Sequence, residues 1–130
     1  MLGSLHHVEL YVEDLSIAKD FWGWLLLRLN YEVYQEWDAG ISYKLGDTYI
    51  VLVQTEERFQ SQKYHRCNSG LNHLAFHGES RAFVDKITSE LRARGITILY
   101  EDRHPFAGGG DSYAVFFEDP QRMKVEICAY

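Results

Sequence analysis

Cysteine is scarce in this sequence, which excludes a disulfide-stabilised class of protein. Cys67 and Cys128 are its two cysteines, too few for the multiple bridges of small secreted domains. We therefore expect both to be reduced thiols. The N-terminus has no basic region followed by an apolar run and a cleavage site, and no apolar run approaches the roughly 18 residues of a membrane span. These absences predict a cytoplasmic protein that does not enter a membrane.

Positive charge is also scarce. Lysine and arginine number 13 against 19 acidic residues, which gives a formal net charge of −6, and basic residues never cluster beyond a pair. This pattern excludes the basic surface typical of nucleic-acid or anionic-membrane binding. The sequence also lacks the G-x-x-x-x-G-K-[ST] motif of a phosphate loop. Among small-molecule substrates, the acidic balance slightly favours a cationic ligand or none in particular.

The sequence contains the same order of predicted secondary-structure elements twice. The first copy has a strand at Leu5–Val12, a helix capped by Asp14, and strands at Tyr31–Trp37, Ile41–Leu45 and Thr48–Gln54. After a polar connector at Ser61–Ser69, the second copy has a strand at Leu71–His77, a helix between Ser80 and Gly95, and strands at Ile96–Tyr100, Tyr113–Glu118 and Met123–Ala129.

The two copies align in register. His7 and His73 are 66 residues apart, and so are the two helix caps, Asp14 and Ser80. Each copy reads as strand, helix and three strands, which predicts an α+β fold in which helices cover one face of a curved mixed sheet. We predict one domain over residues 1–130, with modules at 1–60 and 70–130.

Strand alternation assigns the side chains of the first strand to two faces. Val8, Leu10 and Val12 are expected to pack under the helix, which places His7, Glu9 and Tyr11 on the opposite, open face. His6 then either joins the packed face or frays at the strand start, as a bystander. Glu9 and Tyr11 are candidate general base or acid residues, although solvated strand residues explain them as well.

The same alternation brings a possible metal-ligand set to the open face. His73 matches His7 in the second copy, and Glu126 lies on the open face of the last strand, between two apolar residues. Glutamate is disfavoured in a strand, and burying an unpaired carboxylate is costly. Two imidazoles and one carboxylate suit a divalent ion such as Fe, Mn, Ni, Co or Zn. The competing interpretation is that each histidine is merely structural.

Three stretches carry a family resemblance: "LHHVELYVEDLSIAKDFW", "LNHLAF" and "FFEDPQRMKVEI". They resemble the vicinal oxygen chelate superfamily, which includes glyoxalase I, bleomycin-resistance proteins and extradiol dioxygenases. The resemblance covers essentially the whole chain. It implies paired βαβββ modules, a concave metal site, frequent dimerisation, and metal ligation by His7, His73 and Glu126.

One departure from the family pattern limits the expected chemistry. Val51 stands at the repeat equivalent of Glu126, where glyoxalase I has a fourth ligand, a glutamate, and methylmalonyl-CoA epimerase has a glutamine. Valine cannot bind a metal, so the resemblance is to a three-ligand member. Bleomycin-resistance proteins bind their drug without such a triad, which counts against that function.

The resulting expectation is a divalent-metal-dependent enzyme in which the ion chelates two adjacent substrate oxygens and stabilises an enolate or oxyanion. Isomerase or lyase chemistry of glyoxalase type and extradiol ring cleavage both fit. Thiol transfer to an epoxide antibiotic fits less well, since the chain ends soon after Glu126 without a further anion-binding arginine. The alternative is a non-catalytic drug- or metabolite-binding protein. The strongly apolar first helix, "FWGWLLLRL", predicts a homodimer.

Overall fold

A computed structural model describes residues 1–129; residue 130, the predicted end of the second module, lies outside the described residues. The chain divides into two compact units, Met1–Lys63 and Tyr64–Tyr130. The first unit contains β1 (His7–Val12), α1 (Leu15–Arg28), β2 (Glu32–Trp37), β3 (Gly40–Leu45) and β4 (Thr48–Gln54). The second contains β5 (His73–His77), α2 (Arg81–Ala93), β6 (Ile98–Leu99), β7 (Tyr113–Glu118) and β8 (Lys124–Ala129).

Each unit has its own four-stranded mixed sheet. The strand order is β1-β4-β3-β2 in the first unit and β5-β8-β7-β6 in the second. In both, the first strand pairs in parallel with the last, and the remaining pairs are antiparallel. The predicted α+β fold of two strand–helix–three-strand modules is therefore confirmed, with the strands distributed over two sheets.

The two helices begin where the sequence predicts. The Asp14 carboxylate accepts a hydrogen bond from the backbone N–H of Ile17 at 3.1 Å, and Ser80 Oγ accepts one from Phe83 at 3.1 Å. These side chains satisfy backbone donors that have no partner within the helix. Gly95 follows α2 with a φ of 75°, the left-handed conformation that glycine adopts at helix ends without strain.

Apolar helix faces cover one face of each sheet. In the first unit Trp22, Leu25 and Leu26 of α1 are fully buried. In the second unit Val84, Ile87 and Leu91 of α2 are also fully buried. Both helices therefore contribute to the core. Within residues 1–129, neither helix is long and apolar enough to cross a membrane.

Strand β6 is shorter than the sequence predicts. The sequence predicts a strand over Ile96–Tyr100, but only Ile98 and Leu99 pair with β7. Tyr100 has a φ of 56° and its carbonyl accepts hydrogen bonds from the backbone N–H groups of Arg103 and His104. A residue in the left-handed region cannot continue a strand, so the chain turns there.

Candidate metal centre

The predicted alternation along β1 is confirmed. His7, Glu9 and Tyr11 are exposed, whereas Val8 and Leu10 are half-buried and Val12 is buried. The exposed residues therefore share one face of the sheet in the first unit, and the apolar residues share the face covered by α1.

The ring of His7 is held by two neighbours in its own unit. It stacks on Tyr49 with ring centroids 4.8 Å apart and an interplanar angle of 5°. Tyr49 is the register partner of His7 on β4. On its other side, His7 Nδ1 lies 2.9 Å from His6 Nδ1, a hydrogen bond between the two imidazoles. His6 lies just before β1, where strand alternation does not fix its side chain; that it is a bystander rather than a metal ligand stays a prediction.

In the second unit, His73 and Glu126 form a close pair. His73 Nε2 lies 3.2 Å from Glu126 Oε1. The Glu126 side chain is only 10% exposed, and that of His73 is 32% exposed. The two residues lie diagonally across the parallel pair of β5 and β8, since Glu126 is in register with Ala75 and His73 with Lys124. The sequence-based pairing of these two candidate ligands on one face agrees with this geometry.

The other ring nitrogen of His73 has a partner of its own. His73 Nδ1 lies 2.7 Å from the side-chain oxygen of Asn72. An amide oxygen only accepts hydrogen bonds, so this contact places a proton on Nδ1. Nε2 then faces the Glu126 carboxylate oxygen. A lone pair beside a carboxylate is repulsive unless a cation lies between the two atoms.

The spacing of this pair fits a bound divalent ion. Two ligand atoms held at about 2.1 Å from one ion lie about 3.0–3.4 Å apart when the angle between them is about 90–110°. The observed separation of 3.2 Å falls in that range. Imidazole nitrogen and carboxylate oxygen are also the ligand types that Zn, Ni, Mn and Fe(II) accept. His73 and Glu126 therefore suit a metal centre by donor chemistry and by spacing.

The three predicted metal ligands do not form one close group in the described part of the chain. Within residues 1–129, no group of three or more His, Cys, Asp or Glu side chains is positioned to hold a metal ion. His7 belongs to the first unit, and His73 and Glu126 belong to the second. Ligation by all three residues stays a prediction.

The equivalence of Val51 and Glu126 is supported by strand register. Glu9 pairs with Val51 across β1 and β4, as Ala75 pairs with Glu126 across β5 and β8. Val51 is 4% exposed, and its side chain offers no ligand atom. The first unit therefore presents His7 without the carboxylate that accompanies His73 in the second. The roles of Glu9 and Tyr11 as base or acid stay predictions.

The loop before β7 covers the open face of the second sheet. Tyr100 and Ala107 pack against a buried cluster formed by Ala114, Phe116 and Cys128. Lys124 Nζ reaches the Tyr100 hydroxyl at 3.2 Å. Strand alternation places Lys124 on the face of Glu126, whereas its contact with Tyr100 has no signal in the sequence pattern. The Lys124 ammonium group and the aromatic rings of Tyr100 and Phe116 thus lie near the His73–Glu126 pair.

The sequence pattern of the Glyoxalase/Bleomycin resistance protein/Dioxygenase superfamily matches residues 4–127. The chain belongs to this superfamily. Its membership agrees with the paired modules, and the resemblance noted from the three sequence stretches is confirmed.

Individual relatives of this glyoxalase-superfamily chain span a range of similarity. It is 56% identical to the uncharacterized protein YqjT of Bacillus subtilis, over 96% of this chain and 98% of YqjT. It is 28% identical to the glutathione transferase FosA of Serratia marcescens, over 98% of this chain and 81% of FosA. A crystal structure from Bacillus halodurans, provisionally described as a glyoxalase, is 60% identical with a TM-score of 0.97, covering 99% of this chain and 97% of that one.

Proposed function

We propose that this protein is a divalent-metal-dependent enzyme in which His7, His73 and Glu126 are the protein ligands of the ion. The observation that carries the proposal is the buried Glu126 carboxylate with its oxygen 3.2 Å from His73 Nε2. A buried carboxylate needs a compensating positive charge. Membership in a superfamily that includes glyoxalases and dioxygenases supports the assignment.

The proposed substrate is a small molecule with two adjacent oxygen atoms. When bound, the ion would supply Lewis-acid stabilisation of the negative charge that develops on a substrate oxygen. Three protein ligands leave positions for a chelating substrate. Glu9 and Tyr11 are exposed on the face of His7, where they could exchange a proton with the substrate.

Metal affinity tests this proposal directly. The chain is purified without chelators and titrated with Mn²⁺, Ni²⁺, Zn²⁺ and, anaerobically, Fe²⁺, by competition with a chromogenic chelator. We expect each chain to bind one ion tightly. His73→Ala, Glu126→Gln and His7→Ala should each reduce affinity by more than the roughly 10- to 100-fold typical of changes outside the ligand set, because each removes one ligand.

Two exposed residues outside the predicted set provide matched controls. His77→Ala removes an imidazole at the exposed end of β5, and Glu57→Gln neutralises an exposed carboxylate. Both variants should bind metal like the unmodified chain. Absence of binding for all four ions, or full affinity in both His73→Ala and Glu126→Gln, would contradict the proposal and favour a metabolite-binding protein without turnover.

A second candidate reaction is thiol transfer to an electrophilic substrate. It is supported by the 28% identity to the glutathione transferase FosA over 98% of this chain, and by Val51, which leaves three candidate ligands. The metal-loaded chain is assayed in parallel for three products: a thioether from glutathione and an epoxide, a lactoyl thioester from the methylglyoxal–glutathione hemithioacetal, and a cleaved catechol ring. The product formed identifies the reaction, and weak hemithioacetal turnover is expected from Val51.

A further inference from the structure

We propose that the residue immediately before each candidate ligand histidine is a positioning residue: His6 for His7 in the first unit, and Asn72 for His73 in the second. Each would fix the proton on Nδ1 of the neighbouring imidazole and so keep the lone pair on Nε2 available for a metal. This inference rests on the proposed metal-dependent function and adds two residues outside the ligand set.

In the second unit, the contact joins the amide of Asn72 to a ring nitrogen of His73. The Asn72 side-chain oxygen lies 2.7 Å from His73 Nδ1, and it can only accept a hydrogen bond. His73 must therefore donate from Nδ1. Its Nε2, which faces Glu126 Oε1 at 3.2 Å, is then the nitrogen left to bind a cation. Such hydrogen bonds to the second ring nitrogen commonly orient histidine ligands of metals.

In the first unit, the contact between His6 and His7 restricts where both rings carry their protons. The Nδ1 atoms of His6 and His7 are 2.9 Å apart, so one nitrogen donates and the other accepts. If His7 binds through Nε2, its Nδ1 must donate, and His6 must accept while carrying its own proton on Nε2. The stack of His7 on Tyr49 fixes the plane of the ring, so together the two contacts determine orientation and proton position.

The two contacts occupy equivalent places in the repeat. His6 and Asn72 are 66 residues apart, like the histidines that they contact. Each lies one residue before the first strand of its unit, outside the pairing that sends successive side chains to opposite faces. Its side chain can therefore turn toward its neighbour. Two different side chains make the same contact in the two units, which points to a shared requirement of the histidines rather than to chance.

Substitution of His6 or Asn72 by alanine removes its contact with the neighbouring histidine. A substitution that keeps a hydrogen-bond acceptor should restore that contact. Without an acceptor, a neutral imidazole distributes its proton between both nitrogens, which lowers the fraction ready to bind. We expect His6→Ala and Asn72→Ala each to weaken Zn²⁺ or Mn²⁺ binding by roughly 10- to 100-fold. His6→Asn and Asn72→Asp keep an acceptor oxygen and should bind within a few-fold of the unmodified chain.

The matched controls remove a histidine and an asparagine at other positions in the chain. His65→Ala and Asn68→Ala change exposed residues of the connector and should leave affinity unchanged. Unchanged affinity in both His6→Ala and Asn72→Ala would overturn the inference. So would failure of both His6→Asn and Asn72→Asp to restore it, since the loss would then reflect general damage.

Proton positions in the metal-free chain provide a readout that does not depend on metal. ¹⁵N spectra at alkaline pH, where histidines are neutral, distinguish protonated from unprotonated ring nitrogens. We expect His7 and His73 to carry the proton on Nδ1, and His6→Ala and Asn72→Ala to shift each toward a mixture. Unprotonated Nδ1 in the unmodified chain would contradict the positioning role. If no ion binds but these proton positions are found, the proposed function fails while the positioning of the rings stands.

Discussion

A buried carboxylate, Glu126, is the most informative single residue of the molecule. It lies between Val125 and Ile127, both fully buried, in a strand where glutamate has no packing advantage. Its partner is an imidazole whose opposite nitrogen is already engaged by Asn72. The cost of burying this charge is offset only if a proton or a cation sits between the two side chains. Residue-level chemistry is therefore compatible with the metal proposal, and a cation between the two side chains is one of the two ways to offset the cost.

Val51→Glu tests the missing fourth ligand. Val51 lies two residues beyond Tyr49 on β4 and hence on the same face as the ring that stacks on His7. A carboxylate there should raise metal affinity by roughly tenfold, about 1.4 kcal/mol, measured by chelator competition.

The matched control for that substitution is Val53→Glu, one further alternation along the same face of β4. It adds the same charge farther from His7 and should leave metal affinity unchanged. Equal gains in both variants would point to general electrostatic attraction, and no gain from Val51→Glu would mean that the strand is not equivalent to that of glyoxalase I.

At the scale of elements, side-chain hydrogen bonds connect helices to strands. Gln54, the last residue of β4, accepts from the backbone N–H of Leu15 at 2.8 Å and donates to the Glu13 carbonyl at 2.8 Å. One side chain thus satisfies a donor in the first turn of α1 and an acceptor just before it. It fixes the start of α1 relative to the sheet that carries His7.

Gln54→Ala should therefore destabilise the chain. It leaves the part-buried backbone N–H of Leu15 without this partner, at a cost of about 1–3 kcal/mol, whereas the Glu13 carbonyl still accepts from Gln60 at 3.0 Å. Urea denaturation followed by circular dichroism measures the free energy of unfolding. The control Gln62→Ala changes an exposed glutamine and should have little effect; an equal loss in both variants would contradict the argument.

At the scale of the whole molecule, exposed apolar side chains favour association. Ile17 and Leu27 of α1 are 54% and 55% exposed, and Val33, Tyr34 and Trp37 of β2 are each more than 40% exposed. Large apolar side chains left exposed on α1 and on β2, an edge strand of its sheet, are candidates for an interaction surface. We propose a homodimer.

Sedimentation at micromolar concentration tests the dimer. We expect a species of twice the 15.2 kDa chain mass, and a shift toward the monomer in Leu27→Lys if α1 lies at the interface. Ser16→Lys, at another exposed position of α1, is the control. A 15.2 kDa species alone at these concentrations would contradict the proposal.

Metal removal should leave the fold intact. The buried core is made of apolar residues that pack between helix and sheet in each unit, as with Trp22 in the first and Phe117 in the second. We expect the far-ultraviolet circular dichroism spectrum to be the same with and without excess chelator, and the melting temperature to rise when metal binds. Unfolding on chelation would show instead that the ion is structural.

The sequence by itself determined the order of the elements and the face on which each strand side chain lies, but not the length of every strand. The period-two pattern of β1, the caps Asp14 and Ser80, and the 66-residue repeat each depend on local chemistry, because alternation and capping involve residues close together in the chain. They also placed Glu126 and His73 on one face, since register across a parallel pair preserves alternation.

Only the tertiary structure decided which atoms meet. That Asn72 holds Nδ1 of His73, that His6 turns toward His7, and that Tyr100 and Ala107 cover the second sheet are all contacts of residues outside the strands. The alternation that sends successive strand side chains to opposite faces does not apply to such residues. Their directions follow from the packing of loops and strand ends against side chains distant in sequence, which a one-dimensional pattern does not contain.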